Sequence, residues 1–250
     1  MSWLPWLGLA VTLVLLLMIE RWIHRHLQGT MLLLVGDREI AVILYALPLM
    51  PGIVLHEISH ALTARCLGVR AGRISIGPQL ADERIQLGFV PVEETDFVRA
   101  SLIGLAPLLA GTAVILLIGY SVFDIGVMQQ GFVNGNWTDV AKGLAETLRA
   151  PDVWVWLYLI FAVSNTMLPS ESDREAWMPI LLFMVLVAVL AWLTGLGPRI
   201  VDYMSQPLDL AALWLTAMYV FTIVADLPFV LLIALLERLL GHLKGVRVEY

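Results

Sequence analysis

Long apolar blocks take up most of this chain and constrain its fold more than any other feature. A helix that crosses a bilayer needs about 17–25 mostly apolar residues, and about six segments reach or approach that length. Hydrophobic residues make up 60% of the chain and charged residues 14%, whereas soluble domains hold about 45–50% and about 25%. The sequence therefore predicts one domain over residues 1–250, an all-α polytopic membrane protein with about six transmembrane helices. The predicted segments are 3–19, 40–66, 98–120, 152–169, 177–196 and 208–236.

The distribution of charge favours the lipid bilayer as a partner and argues against nucleic acid. The net charge of −6 is spread over short polar connectors, and the sequence has no basic run. Proteins that bind nucleic acid usually carry a basic patch. Cys66 is the single cysteine and cannot form an internal disulfide. Residues 3–19 lack a basic leading region and a small-residue cleavage site, which indicates a retained membrane helix.

Two connectors of about 30 residues separate the apolar blocks and differ in kind. Polar and apolar residues alternate in 73–76 and again in 84–87, with Gly77 and Pro78 between them. Alternation of this kind predicts strands, and Gly-Pro pairs favour turns, so we expect a short β-hairpin or small sheet there. The other connector, 121–151, is predicted to be a surface loop with a short helical stretch.

The second apolar block contains the motif His56-Glu57-Ile58-Ser59-His60. Residues four apart on a helix lie about 6 Å apart on one face, so both imidazoles can bind a single metal ion. A zinc site with two histidines needs a third protein ligand and leaves a fourth position for water. Glu57 adjoins that position and can take a proton from the water. Ionisable groups in a membrane helix cost about 2.5–3.5 kcal/mol each, which favours a functional metal site over a chance motif.

The third ligand must come from another segment, and the residues alone leave two carboxylates open. Asp173 follows the fourth apolar block, and Asp226 is a lone acid inside the last one. His24, His26 and His242 lie near the ends of predicted helices beside arginine or lysine, and we expect them at the membrane interface.

Together, these motifs resemble the site-2 protease family of intramembrane metalloproteases. That family combines HExxH on one membrane helix with a later helix that bears an Asn, a Pro and a ligand Asp. The matching residues are Asn165, Pro169 and Asp173, with the family's spacing from Asn to Asp. The proline follows one residue later than in the family, and Arg174 replaces the family's glycine. The resemblance covers residues 51–112 and 161–180.

The resemblance implies hydrolysis of peptide bonds in membrane-spanning substrates, with Zn²⁺ as the cofactor. It makes His56, His60 and Asp173 the metal ligands, and Glu57 the general base. It makes Asn165 a substrate-binding residue that holds the substrate backbone or stabilises the oxyanion. An exposed edge of the predicted strands is then expected to pair with an unwound substrate.

The resemblance also implies a location in the cell. The HExxH helix of that family ends at the cytosol, so we expect a multi-pass protein of the cell membrane with its active site toward the cytosolic side. With six alternating helices, both termini then lie in the cytosol. Lys and Arg are more numerous in the connectors assigned to that side, as the positive-inside rule predicts. Arg21, Arg25 and Arg38 in the first connector oppose this orientation.

Two other functions stay open at the level of sequence. A membrane zinc protease of the prenyl-protein-processing type also carries HExxH on a membrane helix but usually takes a glutamate as third ligand. Glu171 and Glu175 are available for that role. A non-catalytic membrane metal carrier would need several intramembrane acids or histidines along a path. Outside the motif residues only Asp226 qualifies, which disfavours a carrier.

Overall fold

Helices make up most of the structure, a computed structural model that describes residues 3–81, 84–123, 125–174 and 177–246. The first part contains α1 (Leu4–Val35), α2 (Arg38–Ala46), a 3₁₀ turn (Leu47–Leu49) and α3 (Met50–Cys66). Then come the strands β1 (Ser75–Ala81) and β2 (Arg84–Phe89), followed by α4 (Phe97–Val122), α5 (Ile125–Asn134) and α6 (Trp137–Thr147). The last part contains α7 (Val153–Ser164), α8 (Glu171–Arg174), α9 (Trp177–Leu193) and α10 (Leu196–Lys244).

Within the described residues, four helical stretches are long and apolar enough to cross a membrane: α1, the α2–α3 stretch Arg38–Cys66, α4 and α10. Two shorter apolar helices, α7 and α9, have 12 and 17 residues. None of the described residues of α9 is buried, as expected for an apolar helix that lipid surrounds. The structure is therefore compatible with a largely helical membrane protein. The count of six transmembrane helices and the cytosolic orientation stay predictions.

Two helices are longer than the sequence predicts. α1 continues through the predicted first connector, and α10 extends the last predicted segment at both ends. Helices of 32 and 49 residues are about 48 Å and about 74 Å long, more than the bilayer's hydrocarbon core of about 30 Å. α1 can continue because its polar side chains have partners on other helices: His24 contacts Tyr45, and His26 contacts Glu237. The first connector is therefore helical.

α1 and α10 lie side by side and run in the same direction, because residue numbers rise together along their contacts. In strict alternation of six transmembrane helices, the first and the last run in opposite directions and leave both termini on one side. The parallel pair instead places the start of α1 and the end of α10 at opposite ends of the two helices. The expectation of two cytosolic termini stays a prediction. The contacts are Trp6 with Asp209, Gly8 with Thr216, His26 with Glu237, and Leu34 with Lys244.

The predicted small sheet is present after α3. β1 and β2 are antiparallel, and Ser75 lies opposite Phe89. Gly77 and Pro78 lie inside β1 at an irregularity in the pairing, rather than in a turn between the strands. Proline cannot donate a ladder hydrogen bond, so an irregularity is where a strand tolerates it. The connector predicted to be a surface loop instead contains α5 and α6.

Three glycines bring the end of α7 and the segment after it against α3 and α4. A Cβ on Gly52 of α3 would collide with the Thr166 hydroxyl. A Cβ on Gly104 of α4 would collide with the Asp173 carbonyl, and one on Gly111 would collide with the chain just after α7. Small residues allow helix backbones to approach this closely within a membrane protein. The segment after α7 is therefore held against both helices, and the motif residues meet there.

Candidate metal centre

His56 and His60 present their Nε2 atoms to each other beside α3. The Nδ1–H of His56 donates to the Thr166 carbonyl at 2.6 Å, and the Nδ1–H of His60 donates to the Ile103 carbonyl at 2.9 Å. A carbonyl only accepts, so each ring carries a hydrogen on Nδ1 and can keep Nε2 as a free base. The two Nε2 atoms are 3.1 Å apart. Two lone pairs at that distance repel each other unless a cation or a proton lies between them, so this arrangement suits a shared metal ion.

Asp173 completes a group of three potential ligands. Its carboxylate oxygens lie 3.2 Å from His60 Nε2 and 3.7 Å from His56 Nε2. The three ligand atoms lie within 4.8 Å of one another, and the described residues contain no second group of this kind. Two imidazoles and a carboxylate at these distances could together hold a metal ion. The fold thus brings together the three residues that the sequence predicts as ligands.

A capping box at the start of α8 orients Asp173. The Asp173 N–H donates to the Ser170 hydroxyl at 3.3 Å, and the Ser170 N–H donates to the Asp173 carboxylate at 2.8 Å. The Ser170 hydroxyl also donates to that carboxylate at 2.6 Å. Burial raises the pKa of Asp173, but the neighbouring His56 and Ser170 outweigh burial and bring the pKa to about 2. The carboxylate is therefore ionised and suited to a cation.

Glu57 follows the first histidine directly and lies against the sheet. Glu57 is buried, with 6% of its surface exposed. A Cβ on Gly88 of β2 would lie 2.6 Å from Glu57 Oε1 and 2.8 Å from its Cγ. Real side chains do not approach this closely, so only glycine leaves room for the Glu57 side chain between α3 and β2. The backbone of β2 therefore limits where the carboxylate can lie.

Asn165 follows the end of α7, and its amide hydrogens are engaged inside the protein. The residue is 2% exposed. Nδ2 donates to the Phe161 carbonyl at 2.9 Å and to the Ser164 hydroxyl at 3.2 Å. Oδ1 is buried and has no hydrogen-bond partner among the described residues. The predicted substrate-binding residue thus has a free acceptor and engaged donors, which favours a contact to a substrate N–H over stabilisation of an oxyanion.

Asp226, the rival aspartate, does not join the metal-binding group. Asp226 is 1% exposed, and its carboxylate accepts a hydrogen bond from the Ser164 hydroxyl at 3.2 Å. It therefore lies against the end of α7 rather than among the histidines. Glu175 and the side chain of Glu171 lie outside the described part of the chain.

Two of the other histidines hold helices together. The Nε2–H of His24 donates to the Asn165 carbonyl at 2.9 Å, and His26 contacts Glu237 at 2.5 Å. Both residues lie within α1 and between helices, which corrects the expectation that they lie near helix ends. Their expected place at the membrane interface stays a prediction. His242 is exposed near the end of α10. None of the three belongs to the metal-binding group.

Several residues contribute to the site outside the motifs. The carbonyls of Thr166 and Ile103 orient the two histidines. Every residue has a backbone carbonyl, so the sequence cannot reveal this role. Gly88 gives only the weak signal of a glycine inside a strand, which often marks a close approach. Ser170 has a recognisable signal, because it precedes Asp173 by the spacing of a capping box.

The chain matches no protein-family model, no curated protein and no solved structure. The function is therefore inferred from the geometry of the site. Two histidines and an aspartate that can hold a metal ion, with a glutamate next to the first histidine, suit the activation of a water molecule. These residues lie on and between helices that are apolar enough to cross a membrane.

Variants of the two rival aspartates test the choice of third ligand. Asp173→Ala should weaken zinc binding at least about tenfold, because one ligand of the group is lost. Asp226→Ala is the matched control and should leave zinc affinity nearly unchanged, because Asp226 contacts Ser164 and not the histidines. Competition of each purified variant against a zinc chelator gives the affinity. Equal affinities, or a larger loss for Asp226→Ala, would show that Asp173 is not the ligand.

Proposed function

We propose that this protein is an intramembrane zinc metalloprotease that resembles the site-2 proteases. The observation that carries the proposal is the convergence of His56, His60 and Asp173 beside Glu57, among helices apolar enough to cross a membrane. Ionisable residues are rare in membrane helices and generally mark function. A metal-binding group and a general base in one such site support hydrolysis of a bond within or next to the bilayer. The proposed substrate is a membrane-spanning peptide or protein.

The donor set supports zinc as the metal. Zinc lies about 2.0–2.2 Å from nitrogen and oxygen ligands, so two ligand atoms of a tetrahedral site are about 3.4 Å apart. The distances of 3.1 Å between the two Nε2 atoms and 3.2 Å from His60 Nε2 to Asp173 are close to that value. Three protein ligands also leave a fourth position open, as in catalytic zinc sites. When bound, zinc polarises a carbonyl and lowers the pKa of water to about 7.

Glu57 is the proposed general base. As a water oxygen attacks the substrate carbonyl carbon, the Glu57 carboxylate accepts a proton from the water. The bond between the carbonyl carbon and the amide nitrogen then breaks, and Glu57 returns the proton to the departing amine. The close approach of Gly88 supports this role, because the backbone of β2 closes one side of the space open to the carboxylate.

Substrate binding is proposed to use the sheet. β1 and β2 form a two-stranded sheet among the described residues, so each strand keeps an outer edge. An unwound segment of a transmembrane substrate can add to such an edge through its backbone hydrogen bonds. Gly88 of β2 lies close to Glu57, the proposed general base, so a substrate strand next to β2 would present its peptide bonds close to the reacting groups.

The two alternatives receive less support. A metal carrier needs several binding stations, whereas the described residues contain a single group of three potential ligands. A protease of the prenyl-protein-processing type would use a glutamate as third ligand, whereas here an aspartate lies beside the histidines. The carrier and the protease differ in one measurable respect, the cleavage of membrane peptides.

Loss of the base should abolish cleavage without loss of the metal. Cells that express the wild type should accumulate fragments of membrane-spanning segments, and cells that express Glu57→Gln should not, because the amide cannot accept the proton. Quantitative mass spectrometry of membrane fragments gives the readout, and elemental analysis of the purified variant should show zinc retained. Glu39→Gln, at an exposed position in α2, is the control for the same chemical change.

Equal fragment profiles for the wild type and Glu57→Gln would contradict the protease proposal. Zinc content without any cleavage would favour the metal carrier.

A methyl group at position 88 should impair catalysis through Glu57. Gly88→Ala places a Cβ against the Glu57 Oε1, Cγ and Cδ atoms, so the carboxylate must move. We expect kcat to fall at least about tenfold, since small displacements of a catalytic group carry large penalties. Zinc content should not change. Gly77→Ala is the control, because a Cβ on Gly77 of β1 meets nothing within 4 Å. Equal kcat values in these two variants would show that the β2 backbone at Gly88 does not position the Glu57 carboxylate.

A further inference from the structure

Asn165 is held from two sides by the long helices α1 and α10. His24 of α1 donates from Nε2 to the Asn165 backbone carbonyl at 2.9 Å. Asp226 of α10 faces the side-chain amide, with its Oδ1 3.5 Å from Asn165 Nδ2 and 3.2 Å from the Ser164 hydroxyl. The residue that ends α7 is therefore fixed in backbone and side chain by helices that supply no metal ligand.

Asp226 is a costly residue for its position. It lies inside α10 at 1% exposure, two residues before Pro228, and a carboxyl group there needs a hydrogen-bonding partner from the protein. Its hydrogen-bond partners among the described residues are both at the end of α7, the Ser164 hydroxyl and the Asn165 amide. The Asp226 carboxyl group therefore serves as an acceptor for the Nδ2 hydrogens of the Asn165 amide.

The surroundings of the amide allow only one of its two orientations. In the observed orientation, Nδ2 faces three oxygens, namely the Phe161 carbonyl, the Ser164 hydroxyl and Asp226 Oδ1. Rotation of the amide by 180° would bring Oδ1 against the Phe161 carbonyl and the Asp226 carboxylate, which are both acceptors. The hydrogen bonds from Nδ2 to these two groups would be lost. Oδ1 is therefore kept on the other side, where it is buried and has no partner among the described residues.

We propose that Asp226 is a positioning residue that orients the Asn165 amide so that Oδ1 accepts a backbone N–H of the substrate. This inference rests on the proposed protease function and names one contact of its substrate. The next residue after Asn165 is Thr166, whose carbonyl orients the ligand His56, so the acceptor belongs to the segment that builds the metal centre. A substrate backbone N–H suits a buried acceptor because peptide groups are present in every substrate, whatever its side chains. A buried acceptor without a donor is costly, and a substrate N–H removes that cost when it binds.

A series at position 226 tests the inference with a synthetic peptide copied from a segment that the wild-type protein cleaves. Asp226→Leu removes the acceptor and should lower kcat/KM about tenfold, mainly through KM, because a ground-state hydrogen bond to the substrate becomes unreliable. Asp226→Asn keeps an acceptor oxygen and should stay within about twofold of the wild type. Thr222→Val is the matched control, since Thr222 is fully buried one turn earlier in α10 and, among the described residues, bonds to the Met218 carbonyl of its own helix. Its kinetics should not change.

An exchange of the two side chains separates positioning from stability. Asn165→Asp alone places carboxylate oxygens against the Phe161 carbonyl and Asp226, and it should lower kcat/KM more than about tenfold. Asn165→Asp combined with Asp226→Asn restores a donor at position 226 and an acceptor at position 165. The double variant should therefore regain at least about tenfold over Asn165→Asp, with zinc content and thermal unfolding measured in parallel.

Failure of the inference can be told apart from failure of the proposed function. Absence of any difference between the wild type and Glu57→Gln would overturn the protease function itself. If the wild type cleaves its peptide, wild-type kinetics in Asp226→Leu would overturn the positioning role of Asp226. If Asp226→Leu is too unstable to assay, the exchange pair decides: a double variant no better than Asn165→Asp overturns the inference, and recovery supports it.

Discussion

Polar groups within a bilayer must find their partners inside the protein, and this requirement shapes the segment from Ser164 to Asp173. α7 ends at Ser164, so the carbonyls of the residues that follow have no partner within a helix. The Asn165 carbonyl accepts a hydrogen bond from His24, and the Thr166 carbonyl accepts one from His56. These backbone groups just after α7 thus connect α1 to this segment and orient a potential metal ligand. The fold of the helices and the geometry of the metal centre depend on one another through this segment.

Close approach of backbones is the second condition for the site. Gly52 and Gly104 allow the segment after α7 to reach α3 and α4, and Gly88 allows β2 to reach Glu57. In lipid, helices gain little from burial of apolar surface against each other, so contacts of this kind account for much of their association. The three potential ligands and Glu57 come from α3 and α8, and the glycines leave room for the close approach that brings them together. A site with four ionisable groups is in this way built where the largely apolar helix α3 meets the short polar helix α8.

The sequence predicts the parts of the structure that depend on local pattern. Apolar blocks mark the helices, alternation marks the two strands, and the spacing of His56 and His60 places both on one face of α3. The choice between Asp173 and Asp226 could not be made from local pattern, because it depends on which segment packs against α3. The length of α1 was underestimated for a related reason. Its polar residues read as the end of a helix, but their partners lie on α2, α7 and α10, more than a hundred residues away in two of the three cases.

X-ray absorption at the zinc edge of the purified protein tests whether His56, His60 and Asp173 form a metal centre. We expect about one zinc ion per chain with only nitrogen and oxygen ligands, at about 2.0–2.2 Å, and with the scattering of two imidazole rings. A protein that binds no zinc at neutral pH, or a zinc ion with a sulfur ligand or without two imidazoles, would show that these residues do not form a zinc site.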